Sequence, residues 1–341
     1  MYKIAIAGAA PLAGTELKDA FSESPLEAAP FSLFDEGEGL GRLDQVGDEA
    51  TFVQAIGADA FDRCDFTFFC GSESLTRKHW QNALRAGSTV LDLSGALDDE
   101  AGVLVYSPWV GTVELNADLL TPAVVPAHAA AVALALLMER ISARSVVRSA
   151  AATLLLPASE LGRAAMDELH QQTVNLLSFQ GLPRAIFDAQ VAFNLLAGLG
   201  ESASAGLNAV TARVRRHYAT LAGHRLPPVA LQVLQAPVFH GHTFSISVEF
   251  ERPVEISVLE EALNSDRLDL VLEDTDSPSN LAATGQDEVI VRLRPEPGPR
   301  NPLETTRVWL WAASDNLRMQ ARNAVECALE LRRLRPQGKV Q

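Results

Sequence analysis

Met1-Tyr-Lys-Ile-Ala-Ile-Ala-Gly8-Ala-Ala-Pro11-Leu-Ala-Gly14 opens the chain as an apolar strand, a glycine turn and the start of a helix. That is the shape of a dinucleotide-binding fingerprint, in which Gly8 serves the tight turn and Gly14 the close packing of helix on strand. The middle glycine of such a turn lets backbone N–H groups approach a pyrophosphate, and here its place is taken by Pro11. Proline has no N–H and fixes φ at about −65°. The turn therefore keeps its fold signal and loses part of its ligand signal. Contacts to a dinucleotide would fall on Gly8, Ala10, Pro11, Leu12 and Ala13.

Outward from this turn, strand-like and helix-like segments alternate. Tyr2–Ala7, Pro30–Phe34, Asp65–Cys70 and Thr89–Asp92 read as buried strands and Thr51–Val53 as a weak one, with helices over Leu12–Glu23 and Leu75–Ala86. Continuous apolar strands alternating with helical patterns predict an α/β, Rossmann-type parallel-sheet domain. The Pro126 region leads into a long helix, Ala129–Ile141. From Ser145 the pattern changes. Alternating strands (Val146–Leu156, Val229–Leu234, Phe244–Phe250, Val289–Leu293, Trp309–Trp311) flank helices over Ser159–Leu177 and Glu201–Leu221. This predicts an α+β domain with a mostly antiparallel sheet. Glu273–Gln286 reads as a loop, and Asp315–Arg335 as a final helix with basic residues in its last turns.

The chain has 341 residues, 48% hydrophobic and 21% charged, with a net charge of −15. It is long enough for two domains, and its acidity argues against nucleic-acid or anionic-membrane partners. Three cysteines, Cys64, Cys70 and Cys327, have no metal-ligand spacing, and an odd count fits a reducing cytoplasm better than a disulfide framework. The apolar run Ala123–Met138 is too short to span a bilayer. A soluble, cytoplasmic protein is expected.

Five blocks in register carry a resemblance: the Gly8–Gly14 turn, Val90-Leu-Asp92-Leu-Ser94-Gly-Ala96, Ala192-Phe193-Asn194, Pro237-Val-Phe-His-Gly241-His242, and Asp315-Asn316-Leu317-Arg318 with Asn323-Ala-Val325. In these the chain resembles, over essentially its whole length, the aspartate-semialdehyde dehydrogenase family, and within it a Usg-type paralogue lacking the catalytic cysteine. The resemblance implies a Rossmann domain over residues 1–128 and an α+β dimerisation domain of the glyceraldehyde-phosphate-dehydrogenase-like C-terminal type over 129–312. It also implies a C-terminal helix over 313–341 returning to the first domain, and a homodimer. Active members reductively dephosphorylate aspartyl phosphate through a cysteine thiohemiacetal and thioester.

That chemistry needs a thiolate, a general acid/base and cations for the substrate's anionic groups. By the resemblance, the nucleophile turn is Val125-Pro126-Ala127-His128-Ala129-Ala130, with His128 at the cysteine position. Leu156 takes the place of the family's glutamine and Gln235 that of a substrate arginine. The substrate lysine falls near Gly206, and the arginine after the Ser94-Gly95-Ala96 block is absent. Of the main catalytic set, His242 remains. His128 is read either as a substitute acid/base at a helix N-terminus or as a packing and capping residue in a vestigial site. His240 and His242, two apart on a strand, would share a face, but no third ligand is evident and no metal is expected.

On the cofactor side, the stretch that reads an adenosine 2′-phosphate in the family is Phe34-Asp35-Glu36-Gly37-Glu38-Gly39, which is expected to repel phosphate. Asp35 is read either as a partner for a ribose hydroxyl, which permits NAD and disfavours NADP, or as part of a plain acidic loop, and no cofactor is thereby assigned. Cys70 and Gly71, with Ser94 and Gly95, would complete the cofactor contacts. The expected function is that of a catalytically inactive homologue acting by binding or dimerisation, with an unidentified protein partner. The alternative is an NAD-dependent oxidoreductase of altered chemistry on an aldehyde or oxo substrate.

Overall fold

A computed structural model describes residues 2–47, 49–110, 121–204, 206–272, 275–298 and 301–334. Ala205 of the expected helix Glu201–Leu221, Glu273 and Asp274 of the expected loop, and residues 335–341 of the expected final helix lie outside the described residues. The chain forms two compact units, Met1–Ala127 with Gln320–Gln341, and His128–Met319.

The first unit follows the alternation of its sequence. Its strands are β1 (Ile4–Ala7), β2 (Phe31–Asp35), the hairpin β3–β4 (Leu43–Val46, Glu49–Phe52), β5 (Gln54–Ala55), β6 (Phe66–Phe69), β7 (Thr89–Asp92), β8 (Leu104–Tyr106) and β9 (Ala123–Pro126). Helices α1 (Leu12–Ser22) and α2 (Glu73–Arg85) cross over between strands. Seven strands form a sheet in the order β5-β2-β1-β6-β7-β9-β8, with parallel pairings throughout. The weak strand expected at Thr51–Val53 is instead the second arm of a separate antiparallel hairpin, turned at Gly47 with φ +56°.

Strand alternation sends successive side chains to opposite faces. Ile4 and Ile6 join Leu17 and Phe21 of α1 and the later turns of the last helix, Ala321, Ala324 and Ala328, in one apolar cluster. Ala5 and Ala7 join Trp80 and Ala83 of α2 in another. Gly8 has φ +88°, and a Cβ there would lie 2.2 Å from the backbone nitrogen of Gly71. At Gly14 a Cβ would meet the Gly8 carbonyl oxygen at 2.1 Å. Both glycines are thus required by close backbone approach.

The second unit holds α3 (Ala129–Ser142), β10 (Val147–Leu156), α4 (Arg163–Leu177), α5 (Leu207–Ala222), β11 (Ala230–Gln235), β12 (His242–Glu255), α6 (Ile256–Leu263), β13 (Leu268–Leu270), α7 (Asn280–Ala283), β14 (Val289–Pro297) and β15 (Glu304–Ser314). Helix α8 (Asn316–Leu331) begins here and continues into the first unit. Six strands run in the order β11-β10-β12-β15-β14-β13. The central pairings are antiparallel and the two edge pairings parallel, so the sheet is mixed. Helix α3 is apolar all round and buried from Ala129 to Met138, as such helices are.

One expected helix is broken. Pro157 and Gly162 (φ +87°) bracket a short 3₁₀ turn over Ala158–Leu161, and α4 starts only at Arg163. Glycine takes this backbone conformation without the Cβ clash other residues meet.

Gly8→Ala is expected to lower stability by about 3 kcal/mol, combining backbone strain with overpacking. Gly57→Ala, with open space around it, should change stability by no more than about 0.5 kcal/mol. Chemical denaturation of the two variants checks this, and equal effects would contradict the close approach of Gly8 and Gly71.

Candidate functional site

The 3₁₀ turn that interrupts the expected helix carries Glu160, and three elements of the second unit meet at its carboxylate. His128 precedes α3 and donates from Nε2 to Glu160 Oε1 at 2.7 Å. His242 opens β12, opposite Ser314 of β15, and its Nε2 lies 2.9 Å from Glu160 Oε2. The two imidazoles stack with centroids 5.8 Å apart. Both histidines are buried, and the Glu160 side chain is 15% exposed. Helix α5 joins through His217, whose Nδ1 accepts the His128 backbone N–H at 2.9 Å.

These bonds fix the protonation of His128. Its Nδ1 accepts from the Ala130 N–H at 3.2 Å, making it the N-cap of α3. Nδ1 therefore carries no proton, and Nε2–H is the donor to Glu160. Burial pushes the His128 pKa below its ordinary value, with Glu160 partly opposing. Burial raises the Glu160 pKa, but the imidazoles of His128 and His242 hydrogen-bonded to it outweigh that and hold the carboxyl well below the usual range. At neutral pH the arrangement is one carboxylate receiving an N–H from each of two rings. His242 Nδ1 is left buried without a hydrogen-bond partner.

His240 does not share this site. Gly241, with φ +84°, turns the chain between the two histidines, and β12 begins only at His242, so the expected common face is absent. His240 lies between Asp315 (Nε2 to Oδ1, 2.9 Å) and Ser159 (Nδ1 to Oγ, 3.2 Å). Asn316 Oδ1 accepts from Ser159 Oγ and from the Gly241 N–H. Asp315 also accepts from the N–H groups of Leu317 and Arg318 at the start of α8. Among the described residues no group of three or more His, Cys, Asp or Glu is disposed to hold a metal ion.

Arg213 of α5 is close enough for its charge to oppose protonation of His128, while the positions aligned with the family's other site residues are apolar or neutral. Leu156 ends β10 and is buried, while buried Gln235 donates from Nε2 to the carbonyls of Leu156 and Ala236. Gly206 is the N-cap of α5. All three cysteines belong to the first unit, are buried, and have thiol pKa values raised by burial. Cys70 belongs to the apolar cluster on the α1 side of the sheet.

In the first unit, the turn of the opening motif is held from within. The N–H groups of Gly8 and Ala9 donate to the Phe34 carbonyl. Asp35, 6% exposed, accepts from the Ala10 N–H through Oδ2 (2.9 Å) and from the Glu36 N–H through Oδ1 (2.7 Å). Pro11 is the N-cap of α1, whose first turn, with Leu12 and Ala13, receives no side-chain cap. Gly71 lies against Gly8, where a Cβ would be 3.3 Å from the Gly8 Cα. Ser94 donates its hydroxyl to Asp92, which also accepts the Leu97 N–H, and Gly95 turns with φ +86°.

The expected repulsion of phosphate by the acidic stretch after β2 does not hold at Glu36. Lys78 and His79 of α2 bond its carboxylate at 2.7 and 3.1 Å and lower its pKa. Their long separation in sequence hid this compensation.

Residues 3–131 match the family "Semialdehyde dehydrogenase, NAD binding domain", and residues 138–319 match "Semialdehyde dehydrogenase, dimerisation domain". The chain belongs to the semialdehyde dehydrogenase family. It is 30% identical to a USG-1 protein homolog of Pseudomonas aeruginosa, over 93% of this chain and 94% of that one. It is 24% identical to an aspartate-semialdehyde dehydrogenase of Rickettsia bellii, over 97% of each chain. A crystallised "probable aspartate-semialdehyde dehydrogenase" from Pseudomonas aeruginosa is similar with a TM-score of 0.85 at 28% identity, over 98% of this chain and 99% of that chain. No helix among the described residues is long and apolar enough to cross a membrane.

Glu160→Ala should lower stability by about 3 kcal/mol, because it leaves two buried imidazole N–H groups without their acceptor. Stability should be level above about pH 7 and fall below about pH 6.5, since the unfolded chain protonates His128 more readily than the folded one. It should fall further as pH drops through the depressed Glu160 pKa, and Glu160→Ala should flatten that acid limb. Denaturation midpoints from about pH 2 to pH 8 test both signs. A rise in stability on acidification from pH 7 to 5 would contradict the assignment.

Proposed function

We propose that the chain is a member of the family that has lost phosphorylating semialdehyde dehydrogenase chemistry and acts as a homodimeric binding protein. One observation carries this reading. The side chain at the nucleophile position has both ring nitrogens engaged: Nδ1 by the Ala130 N–H and Nε2 by Glu160. Neutral imidazole has a single lone pair in its plane, and here that lone pair is the helix cap. The residue therefore has no nucleophilic atom to offer an acyl group. The buried, protonated cysteines support the same reading, as does neutral Gln235 where a cation would hold an anionic substrate. The match to a dimerisation domain supports the homodimer.

A second reading, an NAD-dependent oxidoreductase of altered chemistry, is favoured by His242. Its ring is oriented by a carboxylate through one nitrogen while the other remains unpartnered, the arrangement of a general base. The intact Gly8 turn and Asp35 support NAD in this reading, while Lys78 and His79 leave NADP open.

Purified protein should give no phosphate-dependent reduction of NAD or NADP with aspartate semialdehyde, and His128→Cys should not restore it. Turnover by either protein would overturn the inactive reading. Titration with NAD and NADP to millimolar concentration, followed by melting temperature, separates the two proposals. A specific ligand raises the melting point by mass action. Absence of any shift removes the oxidoreductase.

A further inference from the structure

Helix α5 presents two neighbouring faces. Val214, His217 and Leu221 are buried, and His217 holds the N-terminus of α3. Arg215, Tyr218 and Ala222, at spacings of one and two turns, instead line a separate cavity of about 360 Å³ in the second unit. Leu134 of α3, Leu226 and Leu231 close its apolar walls. This volume lies within the usual range of small-molecule sites, about 300–1,000 Å³.

The rim is pre-organised. The Tyr218 hydroxyl donates to the Pro227 carbonyl at 2.6 Å, and Pro227-Pro228 restricts φ at two successive positions. Little ordering entropy would therefore oppose binding. Arg215 is the charged member of the lining. It gives an N–H to the Leu231 carbonyl at 2.5 Å, which fixes its direction, while the side chain as a whole stays exposed. Charge and shape together select an anion with an apolar body.

We propose that this pocket binds a small amphipathic carboxylate, an aryl- or branched-alkyl acid. Its hydrocarbon fills the space between Leu134, Tyr218, Ala222 and Leu231, and its carboxylate meets Arg215. Arginine suits that role because its planar donor fork matches a carboxylate's two oxygens.

The probe is 4-phenylbutyrate, compared with uncharged 4-phenylbutyramide by isothermal titration of the full chain. The acid should bind with one site per chain, about tenfold tighter than the amide. Arg215→Gln, an exposed change, should remove that tenfold preference and leave amide binding as it was. Ala222→Leu should abolish binding of both by filling the cavity. Leu226→Ala provides a second wall variant, expected to weaken acid and amide equally. Equal affinity of acid and amide for the unmodified protein would overturn the proposal. So would acid binding unchanged by Arg215→Gln, or no saturable binding up to about 10 mM. Saturation at a site untouched by both wall variants would place the anion elsewhere and equally overturn it.

Discussion

A single carboxylate, Glu160, receives one hydrogen bond from each of two buried histidines, and four elements of the second unit are located by that arrangement. His128 fixes where α3 begins, the 3₁₀ turn fixes where β10 gives way to α4, and His242 fixes the start of β12. His217 brings α5 to the same point through the His128 backbone. An isolated buried carboxylate would be strongly destabilising. Two charge-assisted N–H donors offset that penalty and hold the pKa down, so the cluster is stable only as a set. Removing any member leaves a buried polar atom on another.

The same bonds explain why a histidine at this place differs from a thiol. A helix N-terminus stabilises a thiolate because its N–H groups and dipole point at the sulfur. At the N-terminus of α3, the Ala130 N–H instead meets the His128 ring itself. The donor that could have stabilised developing charge becomes an ordinary cap, satisfied internally. Burial and the neighbouring N–H both disfavour imidazolium, so the ring serves as a neutral bridge between helix and carboxylate.

Much of the fold was legible because apolar periodicity reports burial directly. The run Ile4–Ala7 could only be a strand covered on both faces, and Gly8 and Gly14 sit where backbone approaches backbone. The resemblance pointed to His128 and His242 together, and left open whether His128 caps the helix or serves as an acid/base. Glu160 was not legible. Its neighbourhood reads as helix, and only the positive φ of Gly162 together with Pro157 reveals the break that turns its side chain toward the histidines. A glycine six residues after the end of an apolar strand, with proline between them, was the available signal. Lys78 and His79 escaped for another reason: pairing with Glu36 is a tertiary contact across more than 40 positions, and no local pattern encodes it.

The opening turn follows a parallel logic in the first unit. Asp35 spends one oxygen on the Ala10 N–H and the other on the Glu36 N–H, and the Phe34 carbonyl takes those of Gly8 and Ala9. Each carboxylate oxygen retains a second lone pair, so Asp35 keeps some capacity for a ribose hydroxyl. The phosphate side is changed more. With Ala10 N–H engaged and Pro11 lacking one, the donors left for an anion are those of the first turn of α1, at Leu12, Ala13 and Gly14. A loop whose polar groups are satisfied by its own chain holds its shape without a ligand. Any dinucleotide affinity must then come from the helix terminus and the ribose side rather than from the loop that gives the motif its outline.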